Sequence, residues 1–202
     1  MRIITFYNEI IRKELLVKQK EVFTKFGYNL EQIKVNNWVS HGHAVNEFLN
    51  GIHDPDEIIV LFDVDAIPLN SSVINDIVNW CKNNLGIVGI AQNAPKTQDY
   101  IIYASPAFMV FSMKTYNTLG RPSFEENKRS DCGTEMTHKC RELGLEVRMF
   151  YPTTYEQKTF QLDGYIHYGY GCNYENKIYH SFESRFGKKD SFFIKKCNEI
   201  LG

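Results

Sequence analysis

The first half of the chain is strongly patterned. RIITFYN clusters β-forming residues from Arg2 to Asn8, and EIIRKELLVKQKEVFTKFG then repeats apolar residues at helical spacing as far as Gly27. This predicts a strand, a turn and a helix. NLEQIKVNNW predicts a second short strand and HAVNEFLNGIH a second helix, before Asp54-Pro55-Asp56 breaks the chain ahead of the apolar run EIIVLF. A serine-led helix from about Ser72 to Asn83 follows, then the strand IVGIAQN. Such alternation predicts an α/β fold: a mainly parallel central sheet flanked by helices, with ligands gathering at the carboxyl ends of the strands.

From Ala94 the texture changes. A tyrosine-rich stretch, YIIYASPAFMVFSMKTY, is followed by the polar loop PSFEENKRSD, a helix near GTEMTHKCRELG, a strand EVRMFYP and an aromatic, glycine-bearing tail. A soft boundary near residue 95, with no linker, divides one continuous domain into halves 1–95 and 96–202.

Length and composition narrow the class. At 202 residues, 43% hydrophobic and 23% charged, the chain has the composition of an ordinary globular domain, and disorder and repeat architectures have no compositional support. A net charge of −1 with scattered Lys and Arg lacks the basic surplus of a nucleic-acid-binding protein. RIITFY is too short and too soon interrupted by Asn8 and Glu9 for a signal peptide, and no later run approaches a transmembrane span. Lys195 and Lys196, after Phe192, Phe193 and Ile194, read as a solvated amphipathic end. The five cysteines form no CxxC pair and follow no export signal, which predicts reduced thiols and a cytoplasmic location.

The candidate chemistry lies in one of two Asp-x-Asp segments. Asp54-Pro55-Asp56 sits in a proline turn, where acids serve turns and solubility. Asp63-Val64-Asp65 instead follows five apolar residues, Ile58 to Phe62, which read as a fully buried central strand running into two acids. With strand alternation, Asp63 and Asp65 emerge on one face and Val64 on the other. Two like charges at a sheet edge repel, and a divalent cation relieves them. Carboxylate oxygens suit Mg²⁺ and Mn²⁺, which keep positions open for water and substrate phosphates.

The segment IIVLFDVDAIPL resembles the GT-A glycosyltransferases, in which an Asp-x-Asp closes a central strand. The resemblance implies a single-domain, Rossmann-like GT-A fold. It also implies transfer of a sugar, typically a hexose, from a nucleotide-diphosphate sugar to a hydroxyl of a glycan or glycoconjugate. In that family the second acid, here Asp65, binds the metal directly, and the first, here Asp63, contacts the ribose or a metal-bound water; Val64 lies between them at the donor. UDP-sugars are the common partners of the motif.

The same resemblance suggests further site residues. Thr5, Phe6, Tyr7 and Asn8 match the end of the first strand, which meets the nucleotide, and an aromatic there can stack on a base. NNWVSHGHAVNEFLNG matches the segment bordering the donor, with His41, His43 and Asn46 as candidates and Ser40 as a helix cap. A third metal ligand, often histidine, comes from a C-terminal loop. His167, flanked by Gly164, Gly169 and Gly171, is preferred over His180 because glycines permit close backbone approach, and an imidazole ligand favours Mn²⁺ over Mg²⁺. RSDCGTEMTHKCRELG matches the stretch that supplies an acid, with Asp131 first and Glu135 second as base. Both residues also suit plain helix-start roles. Ser105, Pro106 and Ala107 are candidates to line the donor sugar, and Tyr100, Tyr103, Tyr116, Tyr165, Tyr168 and Tyr170 can stack on sugar faces.

Two other functions share this sequence. A sugar-nucleotide nucleotidyltransferase usually carries a glycine-rich basic loop after the first strand, where this chain has TFYNEIIRKE without glycine. A non-catalytic nucleotide- or glycan-binding domain would carry the same residues. No GxSxG elbow, P-loop or HExxH occurs.

Overall fold

In the computed structural model, which describes residues 1–94, 101–183 and 189–202, the alternation of the first half becomes real elements. They are β1 (Arg2–Tyr7), α1 (Lys13–Lys25), β2 (Leu30–Lys34), α2 (His41–Asn50), β3 (Ile58–Phe62), β4 (Ala66–Pro68), α3 (Val73–Asn83) and β5 (Gly86–Asn93). The tyrosine-rich stretch forms the long strand β6 (Ile102–Ser112) and the short helix α4 (Met113–Thr118), followed by α5 (Thr134–Glu142) and β7 (Glu146–Phe150). The tail forms five short strands: β8 (Pro152–Thr154), β9 (Gln157–Gln161), β10 (His167–Tyr170), β11 (Cys172–Tyr174) and β12 (Ile178–His180). Helix α6 (Asp190–Leu201) ends the chain. Tyr100 falls outside the described residues.

The central sheet has the order β2-β1-β3-β6-β5-β7. All its strands run the same way except β6, which is antiparallel to both β3 and β5. Along β3 the side chains alternate between two cores. Ile58, Val60 and Phe62 join residues of α1, α3 and α6 on one face. Ile59 and Leu61 join residues of α2, α4 and α5 on the other. Burial on both faces is why this strand is apolar throughout. A smaller sheet, β4-β12-β11-β8, and a β9–β10 hairpin cover one end of the molecule.

Helix α6 is more than a solvated tail. Phe193 and Cys197 are fully buried against the core, and Asp190 at its start is ion-paired with Arg12, just before α1. Lys195 stays exposed. None of the five cysteines is in a disulfide. Among the described residues no helix is long and apolar enough to cross a membrane.

Ser40 caps α2, its Oγ accepting from the His43 amide at 3.0 Å. The helix then runs directly over the loop that follows α4. A Cβ on Gly42 would lie 2.3 Å from the Phe124 carbonyl oxygen and 2.8 Å from the Glu125 Cα. Alanine gains helix propensity of at most about 1 kcal/mol, but here it collides with backbone that cannot rotate away. Gly42→Ala is therefore expected to destabilise the fold by about 1–3 kcal/mol, read as a lower urea midpoint at unchanged slope.

Candidate active site

The acidic segment is shaped by a turn. Strand β3 ends at Phe62; the Asp63 amide donates to the Ala107 carbonyl at 3.0 Å, and the Ala66 amide donates back to the Asp63 carbonyl at 3.1 Å. The strand alternation expected to align the two carboxylates thus stops one residue short, and the turn brings them together instead. Gln19, fully buried on α1, holds this turn from below. Its Nε2 lies 2.7 Å from the Asp63 carbonyl, 3.1 Å from the Ala66 carbonyl and 3.2 Å from Thr5 Oγ1. Gln19→Leu leaves those buried carbonyls without their side-chain donor, and is expected to cost about 1–3 kcal/mol, measured by urea denaturation.

Directly after the turn, β4 pairs with β12, setting Ala66 opposite His180, and the Ser181 amide donates to the Asp65 carbonyl at 2.9 Å. This register places His180 Nε2 3.2 Å from Asp65 Oδ1 and 3.6 Å from Asp63 Oδ2. One ligand atom from each of Asp63, Asp65 and His180 lies within 4.8 Å of the others. Asp65 and His180 are buried, whereas the Asp63 side chain is 32% exposed and opens to the cleft. His41 Nδ1 also approaches Asp63 Oδ1, at 3.4 Å. The imidazoles compensate the acids only when protonated. Two hard carboxylates and one borderline nitrogen, converging where one group meets solvent, form a donor set that fits a divalent transition ion.

The histidine of this group is His180, and His167 is not part of it. His167 begins β10, with its Nδ1 3.1 Å from the Tyr165 carbonyl oxygen. The glycines that favoured it serve the hairpin: a Cβ on Gly169 would lie 2.0 Å from the Gln157 carbonyl oxygen of β9.

The three groups lie in a cleft of about 480 Å³ along the carboxyl ends of the strands. Phe6, Tyr7 and Asn8 at the end of β1 line it, with Trp38 and His41 before and at the start of α2. The His41 ring lies between Phe6 and Trp38, with centroids at 6.2 and 6.3 Å, and is stacked nearly parallel to the indole. Val64, Ser105, Pro106, Ala107, Asp131 and Cys132 also line the cleft.

Several candidates lie elsewhere. Thr5 is fully buried and donates to the Phe62 carbonyl at 2.6 Å, so it braces the two strands. His43 is turned to Glu125, 3.5 Å away. Asn46 accepts from the Phe124 amide at 2.9 Å and so fastens the loop leading to Asp131. Glu135 accepts from Ser130 Oγ and lies 3.6 Å from Arg129 Nε, bracing the same loop outside the cleft lining.

Asp131 does not cap the following helix. Helix α5 begins at Thr134 with Gly133 as its cap, and the Asp131 carboxylate accepts from its neighbour's amide, Cys132 N, at 2.8 Å. Burial, then the carboxylates of Asp63, Asp131 and Glu126, push the Cys132 thiol well above its ordinary range, so it stays protonated and is a poor nucleophile. Burial and Asp131 likewise hold the Tyr103 hydroxyl protonated.

Some of the working residues escaped the sequence reading. Gln19 carried a signal: it is the polar member of the buried helix stripe Leu15, Gln19, Val22, Phe23. Gln92, Phe182 and Glu183 also line the cleft, and no local pattern marks them.

The sequence matches no family model, and a search of curated proteins finds no match. Solved structures do resemble the fold. A mutant of Drosophila β1,4-galactosyltransferase 7, in complex with manganese, UDP-Gal and xylobiose, aligns with a TM-score of 0.53 at 15% identity over 95% of this chain and 75% of that one. The catalytic domain of the same enzyme with xylobiose gives 0.53 at 16%, over 94% and 74%. Mannosyltransferase PcManGT from Pyrobaculum calidifontis, in complex with GDP-Man and Mn²⁺, gives 0.50 at 13% over 73% of this chain, which spans only 54% of that one. At these identities the likeness speaks for architecture alone: the chain has the GT-A glycosyltransferase fold, with Asp63, Asp65 and His180 gathered in its cleft.

Proposed function

We propose that this protein is a metal-dependent glycosyltransferase that moves a sugar from a nucleotide-diphosphate donor, a UDP-sugar first among candidates, to a hydroxyl of a carbohydrate or glycoconjugate acceptor. The observation that carries this reading is the convergence of Asp63, Asp65 and His180 in a cleft that also presents Asp131. Asp65 and His180 supply buried ligand atoms and Asp63 a solvent-facing one, which together would hold Mn²⁺ in preference to Mg²⁺. An ion held there would supply Lewis-acid charge to neutralise a departing nucleoside diphosphate.

The remaining roles belong to the chain's own side chains. Phe6, Tyr7 and the Trp38–His41 stack offer flat apolar surface for a nucleobase. Asp131, uncommitted to the helix behind it, accepts the proton of the acceptor hydroxyl as that oxygen attacks the anomeric carbon, in a single inverting displacement.

The test is a thermal-shift panel of UDP, GDP, ADP and CDP, each with and without Mn²⁺. At a ligand concentration near 100 Kd the gain is about 2.7 kcal/mol, or roughly 5–10 °C for a chain of this size. The expected shift requires nucleotide and metal together. No shift, or the full shift from nucleotide alone, would sink the reading. A metal-dependent shift with no turnover over a broad sugar panel would favour a binding domain instead.

A further inference from the structure

The metal carboxylates leave part of the cleft unexplained. Gln92, near the end of β5, stands directly opposite Tyr103 of β6, with Ser105 two residues further along, and all three line the cleft. Next to Gln92 is Tyr174 of β11, fully buried. Burial, with Cys172 and Tyr168 adding to it, raises the Tyr174 hydroxyl well above its usual range, and the Gln92 amide opposes this. The two side chains therefore face each other. Yet Gln92 Nε2 and the Tyr174 hydroxyl are both buried without a completed hydrogen bond.

The two ends of a glutamine amide have nearly the same shape, and the hydrogen-bond network chooses between them. A protonated tyrosine is a donor. With Oε1 turned towards it, Tyr174 donates to Gln92, the orphaned hydroxyl is satisfied, and the NH₂ is turned to the cleft, where its donors meet solvent or ligand. A buried polar group left unsatisfied is destabilising, so this orientation is the one favoured by the protein.

The order of strands says what that NH₂ meets. Along the sheet, β1 carries the aromatic residues Phe6 and Tyr7, β3 leads to Asp63 and Asp65, and β6 and then β5 follow. Neighbouring strands are about 4.8 Å apart, so Gln92 stands roughly two spacings beyond the acids, on the side away from the base platform. A nucleoside, a diphosphate and a sugar laid along this edge in that order would put the sugar ring on Gln92, Tyr103 and Ser105. All three are neutral, which suits the hydroxyls of an uncharged sugar.

We propose that Gln92 is a specificity-determining residue that donates a hydrogen bond to a ring hydroxyl of the donor sugar, and that Tyr174 is the positioning residue that turns its amide outward. This rests on the glycosyltransferase reading above.

The test is calorimetric titration, in Mn²⁺, of UDP, UDP-Gal, UDP-Glc, GDP and GDP-Man into the wild type, Gln92→Met and Tyr174→Phe. In the wild type at least one nucleotide sugar is expected to bind more tightly than its bare nucleoside diphosphate. Gln92→Met should weaken that sugar nucleotide at least tenfold while leaving UDP or GDP within twofold. Tyr174→Phe, which removes one oxygen and keeps the ring, should act in the same direction by a smaller factor. Circular dichroism of both variants checks the fold. If both nucleotide and nucleotide sugar weaken equally, or neither weakens, Gln92 has no sugar contact and the inference falls while the enzyme reading stands. The same follows if no sugar in the wild type adds affinity. If the wild type binds none of these nucleotides in Mn²⁺, the inference falls, and the enzyme reading falls with it when ADP and CDP also give no shift in the thermal panel.

Discussion

Asp65→Ala is expected to reduce sugar transfer by on the order of 10³-fold and to remove the joint stabilisation by nucleotide and Mn²⁺. The Asp65 side chain is almost fully buried with Oδ1 3.2 Å from His180 Nε2, so it is the more firmly placed of the two carboxylates. Its loss leaves one carboxylate and one imidazole, too few to hold a hard divalent ion against water. Metal stabilisation of a developing charge is worth several kcal/mol, and each 1.36 kcal/mol is tenfold in rate. The sign of the stability change without metal separates this reading from a structural one. If the acids await a cation, removing one relieves like-charge repulsion, and the Tm of the metal-free variant should equal or exceed that of the wild type. If Asp65 were simply the buried partner of a charged His180, the same substitution should lower Tm by several degrees. Scanning both proteins with chelator, then with UDP and Mn²⁺, decides it.

Asp131→Asn is expected to lower kcat by about 10²–10⁴-fold, the range for a lost general base, with little change in nucleotide affinity. Asparagine keeps an oxygen to accept from the Cys132 amide, the bond that Asp131 Oδ1 makes at 2.8 Å, so the loop has no reason to move. It cannot take a proton. The signature is a fall in kcat and kcat/KM together at constant Kd for the nucleotide, measured by single-turnover transfer and calorimetry. A variant with undiminished kcat would remove Asp131 from the chemistry and send the search for a base to another carboxylate of the cleft, Glu183.

Much of the fold was legible because it is written locally. Helical and strand periods in the first half correspond to β1, β2, β3 and β5 and the helices between them, with the three-residue β4 showing no period of its own, and the unbroken apolar run at Ile58–Phe62 marked a strand buried on both faces. The two acids after it were legible for the same reason. The third member of their group was legible only as the second choice of two histidines, because His180 reaches them through the pairing of β12 with β4, between segments far apart in the chain. Local glycine content pointed to His167 instead, and those glycines answer the steric demands of a hairpin. Thr5 shows a finer limit. It shares a sheet face with Ile3, while Phe6 shares the opposite face with Ile4; counting strand parity through to residue 5 separates the bracing residue from the aromatic one. Gln92 and Tyr174 lie on separate sheets, and only the folded chain brings them face to face.

The reversed strand β6 also bears on how the chain is made. On a ribosome Ile58–Phe62 emerges well before Ser112, on the order of several seconds at ordinary synthesis rates. Throughout that interval β3 lacks its partner β6 and offers an apolar edge without proline or glycine, the kind of segment that recruits other nascent chains. Asp63 and Asp65 follow it immediately. Charges flanking an unavoidable hydrophobic strand act as gatekeepers against aggregation, so the carboxylates assigned to the metal also guard the chain before there is any cleft for a metal to enter.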